Sequence, residues 1–102
     1  MALWEYGELM AESVSTSADG DWVTQTSLTW RGPTTGGRAV EGSVVFGLNR
    51  LGAHGWELSG VTRNQHQDRF QIRVVTTYTM KRPVRRRARS SGDPYDDQPV
   101  AA

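Results

Sequence analysis

The run RFQIRVVTTYTMKRP, residues 69–83, constrains the fold of this chain more than any other stretch. Phe70, Ile72, Val74, Tyr78 and Met80 fall on one face of an extended backbone, and Arg69, Gln71, Arg73, Thr77, Thr79 and Lys81 on the other. A strand of that length with one apolar face is not stable alone. It needs neighbouring strands and something apolar laid over it. Pro83 ends it, because proline cannot donate to a ladder.

The rest of the chain supplies the neighbours and the cover. Residues 3–14, LWEYGELMAESV, alternate loosely, and Asp19-Gly20 is a strong hairpin turn signal. Residues 21–32, DWVTQTSLTWRG, read as the returning strand. GPTTGG at 32–37 reads as a loop. From Ala39 to Leu51 the period changes, with Val40, Val44, Val45, Leu48 and Leu51 at helical spacing. Gly52 or Gly55 then stops the helix, and Trp56, Leu58 and Gly60 alternate with Glu57, Ser59 and Val61 as a strand begins. RNQHQD at 63–68 reads as a polar connection.

The expected fold is therefore α+β: a four-stranded antiparallel sheet with one helix packed on one face, in the order β-β-α-β-β. Tyr6, Met10, Leu28, Trp30, Trp56, Leu58, Phe70, Ile72 and Val74 would meet Val44, Leu48 and Leu51. The first strand leaves its face open, because Trp4 and Tyr6 oppose Leu3 and Leu9. Residues 1–83 form one small domain. Residues 84–102, arginine-rich and then acidic, are expected to be a disordered tail, since they hold too little apolar surface to offset the entropy of ordering.

Composition narrows the function classes. The chain has no cysteine, so disulfide scaffolds, thiolate metal sites and cysteine nucleophiles are excluded. No apolar run approaches the ~20 residues needed to cross a bilayer, and MALWEYGELM carries Glu5 and Glu8 where a secretory signal would be basic and then apolar. The expectation is a cytoplasmic protein with no membrane insertion. In residues 1–80 six arginines stand against eight carboxylates, and in residues 81–102 six basic groups stand against three aspartates. The domain is thus mildly acidic and the tail basic, whereas nucleic-acid-binding domains carry positive charge on the folded surface.

Three segments resemble a known family. Trp4-Glu5-Tyr6 at the start, LNRLGAHGWEL (with Leu48, Asn49, Leu51, Gly52, Gly55, Trp56, Glu57 and Leu58) in the middle, and Lys81-Arg82-Pro83 at the end are similar to the small bacterial family catalogued as domain of unknown function 4177. The resemblance spans residues 3–83 in order and implies the fold. It implies no activity. His54 departs from the family pattern, where an acidic or amide residue is more usual.

No candidate catalytic set converges. His54 and His66 suit metal or acid–base roles as residue types, but neither has a second ligand at a recognisable spacing. Strand period sets Glu57 opposite to Trp56, solvated or paired with Arg63 or Arg73. GPTTGGR, with Arg38, lacks the signature of a phosphate cradle. No enzyme activity, cofactor or metal is expected.

Two surfaces remain. With a single helix, the opposite face of the sheet is open, and Val23, Val61, Val75 and Thr77 are its expected protein interface, with a second copy or another protein as partner. Arg69, Arg73, Lys81, Arg82, Arg85, Arg86, Arg87 and Arg89 are the expected contacts of the alternative, weak nonspecific binding of nucleic acid or another polyanion. Ser90 and Ser91 follow those arginines as candidate modification sites. A small-ligand pocket around His54, Trp56 and Glu57 is the least favoured class.

Overall fold

The structure is a computed structural model that describes residues 3–34, 36–84 and 95. Five strands and one helix follow in the order β1 (Trp4–Ala18), β2 (Asp21–Arg31), β3 (Arg38–Val40), α1 (Val44–Ala53), β4 (Glu57–Gln67) and β5 (Gln71–Pro83). They form one antiparallel sheet, ordered β3-β2-β1-β5-β4, with α1 on one face.

The α+β class and the antiparallel sheet agree with expectation; the strand count does not. The additional strand, β3, pairs Val40, Ala39 and Arg38 with Leu28, Thr29 and Trp30. The helical spacing instead places Ala39 and Val40 in the first turn of the helix, with Arg38 just after the 32–37 loop. The helix cannot start there because Gly42 has φ +100° and breaks the backbone, and Ser43 caps the true first turn by accepting from the Phe46 amide at 3.1 Å. Val40 fits the helical spacing only because β3 and α1 both face the core.

The Asp19-Gly20 signal holds: φ of 53° and 84° at the two positions turns β1 directly into β2. At the far end of α1, Gly55 rather than Gly52 takes the left-handed conformation, at φ 88°. The Trp56 amide donates to Leu51 O and the Gly55 amide to Gly52 O, each at 3.0 Å, so two terminal helix carbonyls are satisfied as the chain turns into β4.

The core consists of Leu9, Leu28, Trp30, Leu51, Trp56, Met80 and Tyr95, with Ala11, Val40, Val44, Leu48 and Tyr78 packed beside it. The open choice in β1 resolves in favour of Leu9. Register pairs Leu9 with Trp30 and Tyr78, so Tyr6 and Met10 project from the opposite face. Gly7 leaves room for the Trp30 ring, which lies where a side chain at position 7 would stand. Leu58 and Phe70, expected inside, are 51% and 63% exposed, because β4 is an edge and Phe70 sits in the β4–β5 turn.

Within the segment expected to be a disordered tail, Tyr95 alone beyond Val84 belongs to the described residues. It is 1% exposed, 6.4 Å from the Trp30 ring centroid, and closes over Gly47, where an added Cβ would lie 2.8 Å from its hydroxyl oxygen. The remainder of the tail, including Arg85, Arg86, Arg87, Arg89, Ser90 and Ser91, lies outside the described residues.

Candidate functional site

The three segments of the family resemblance meet at one corner. Arg82 is fully buried; its Nε donates to Glu5 Oε1 at 2.5 Å and its Nη1 to His54 O at 3.1 Å. Its guanidinium lies 4.3 Å over the Trp56 ring, which meets Trp30 edge-on at 5.2 Å. Beside it Lys81 lies over Trp4 at 4.6 Å and reaches Glu57 at 3.7 Å. One arginine thus joins the start of β1, the end of α1, the entry to β4 and the end of β5. Glu5 Oε1 thus accepts from a fully buried guanidinium, a charge-assisted contact that ties these segments together.

The other sequence candidates do not converge. His54 caps α1 beside Arg82, whereas His66 pairs with Arg73 across the β4–β5 ladder. Nine residues of β5 separate those positions, about 30 Å of strand. Glu57 pairs with Lys81, not with Arg63 or Arg73, and Arg73 instead meets Glu12 at 3.4 Å. Among the described residues no group of three His, Cys, Asp or Glu side chains stands close enough to hold a metal ion.

A cleft of about 570 Å³ opens where α1 begins. Leu28, Val40 and Val44 form its apolar side, and Ser13, Thr26 and Thr76 bring hydroxyls. It exists because α1 is too short for the sheet. Ten helical residues span ~15 Å, against ~50 Å for the 15 residues of β1. Sequence reasoning missed the cleft because its walls come from separate elements, none with a motif of its own.

The predicted interface residues separate. Val23 is 55% exposed on the face away from the helix, and register sets Val75 and Thr77 on that same face, both half-buried. Val61 is not there. A bulge between Leu58 and Gly60 shifts the register, so that Val61 pairs with Tyr78 and shares its helix-side face. The polyanion set also contracts. Arg82 is buried and paired, and Arg73 and Lys81 are tied to carboxylates; Arg69 is exposed in the turn.

The surface that sequence reasoning did not find is the edge formed by β4. All 11 of its residues are exposed, β5 lies on one side, and no strand pairs with the other among the described residues. RNQHQ belongs to this strand and not to a connection. Among the described residues no helix is long and apolar enough to cross a membrane. Comparison of the chain with protein-family models, with curated proteins and with solved structures gives no match.

Proposed function

We propose that the domain is a non-enzymatic protein-binding or self-assembly module that works through its uncovered sheet. The observation that supports this is β4: an 11-residue edge strand, exposed throughout, presenting a row of backbone donors and acceptors. Such edges are the common template for adding a further strand, and proteins that do not use them shorten, cover or charge them. Here Glu57 and Arg63 are the strand's charged residues, and it contains no proline. Edge pairing also fits the face away from the helix, which the Glu12–Arg73 and Glu57–Lys81 pairs make tolerant of water.

Membership of the family catalogued as domain of unknown function 4177, with a bacterial origin, belongs to the same reading; it is supported by the meeting of all three motif segments around Arg82. A cytoplasmic location is supported by the lack of cysteine. Polyanion binding is a narrower second reading that rests on Arg69 and the tail arginines.

Native mass spectrometry and sedimentation of the full chain test the proposal. A discrete closed assembly is the expected result. A monomer up to hundreds of micromolar that also retains no protein partner on an affinity column overturns it.

A further inference from the structure

We infer that β4 pairs with β4 of a second copy, antiparallel, about a two-fold axis at Asn64, to form one continuous sheet of ten strands. This rests on the reading of the domain as an assembly module and names its partner and geometry.

The argument starts at the β4–β5 turn, where the Asp68 amide donates to Gln71 O at 2.9 Å. Gln67↔Ile72 and His66↔Arg73 follow in register. Hydrogen-bonded and non-hydrogen-bonded pairs alternate along an antiparallel ladder. His66, Asn64 and Thr62 therefore bond to β5, while Gln67, Gln65, Arg63 and Val61 turn their own N–H and C=O groups outward. The ladder runs without interruption from Val61 to Gln67; towards the other end it meets the bulge between Leu58 and Gly60.

Those outward groups select one register. An axis at Arg63 sets that cation directly opposite itself, which is destabilising. At Thr62 the axis would bring Gln65 of the second copy to the bulge, and at Gln65 it leaves Val61 unpaired. An axis at Asn64 matches Val61 with Gln67 and Arg63 with Gln65 in both directions, so every outward backbone group from 61 to 67 finds a partner. Side chains keep their faces, because both members of each pair are an even number of residues apart. The two Arg63 side chains stand diagonal to one another, not opposite. Glu57 and Arg63 balance within the strand, so it carries no net charge against its copy. An isologous contact of this kind closes at two subunits.

The axis predicts one short distance. Asn64 faces its own copy in a non-hydrogen-bonded pair, where Cα atoms lie about 4.5 Å apart, within the ~4.4–6.8 Å that a disulfide spans. The chain has no cysteine, so Asn64→Cys introduces a unique thiol. Under mild oxidation the full-length N64C chain is expected to form a covalent dimer at least ten times faster than Val23→Cys, a control on the face away from the helix. Adding Gln65→Pro removes one outward N–H at a position where an edge strand tolerates proline, and it should abolish that advantage.

Charge variants guard against a folding artefact. Gln65→Glu sets a carboxylate opposite Arg63 of the second copy and should tighten the dimer, whereas Gln65→Arg should weaken it, each by about two- to ten-fold. Equal rates for N64C and V23C, or the same sign for Q65E and Q65R, overturn the β4 pairing. A wild-type oligomer that survives Gln65→Pro leaves the assembly reading standing on another surface and ends this one. A wild-type monomer at every concentration ends the β4 pairing and leaves the proposed function only its binding of a different protein.

Discussion

Arg82 is gripped by Glu5, by the carbonyl of His54 and by the face of Trp56, and it is the most constrained polar side chain in the domain. Removing one member of a buried ion pair leaves the other charge without its partner. Glu5→Ala should therefore cost about 3–5 kcal/mol, read as a fall in the urea midpoint. Gly47 is constrained by space. A Cβ there meets the Tyr95 hydroxyl oxygen at 2.8 Å and Leu9 Cδ2 at 3.2 Å, so Gly47→Ala should destabilise by about 1–3 kcal/mol. In a Tyr95→Phe background the nearer obstacle is gone, and the cost of Gly47→Ala should fall by about 0.5 kcal/mol or more. A double-mutant cycle in urea measures this; additive changes would mean that Tyr95 does not lie on Gly47. Neither constraint was legible in the sequence. Arg82 looked like one more cation in a basic stretch, and Tyr95 like an isolated aromatic among aspartates and prolines.

Among the elements, those with one dry face and one wet face were legible. β5 alternates because α1 lies over part of one side, and the Asp19-Gly20 turn is local chemistry that needs no tertiary help. The helix was legible in its stripe and misplaced at its start, since Val40 belongs to β3. The cap at Ser43 was the usable signal. Ser43→Ala should lower stability by about 1 kcal/mol, and Gly55→Ala, at φ 88°, by more than the few tenths typical of an exposed site. Thermal unfolding checks both. Residues 63–67 of β4 read as a polar connection for a definite physical reason. A strand exposed on both faces has nothing to bury on either, so its sequence carries no alternation. The property that hid it is the same one that leaves its edge open to another strand.

At the scale of the whole molecule, the sheet order puts β1 in the middle and β5 beside it, so the two longest strands come from opposite ends of the domain. Tyr95 extends that dependence beyond residue 83. A chain ending at Val84 should lose about 3–5 kcal/mol, as for deletion of a buried aromatic, with a matching drop in Tm. Neutralising Arg85, Arg86, Arg87 and Arg89 in the full chain should leave Tm within a few degrees, which separates the packing role of Tyr95 from the charge of the arginines. The β1–β5 pairing also sets an order of events during synthesis. β1 and β2 can close as a hairpin as soon as both exist, but the apolar face of β1 stays without its second neighbour until residue 83 has been added. Glu5 waits across 77 positions for Arg82. Contacts that distant in sequence slow the search, and folding on the millisecond-to-second scale is expected. From the addition of residue 31 until that of residue 83 the nascent chain carries a half-paired sheet; the corner around Arg82 closes only then, and Tyr95 comes later still to cover Gly47.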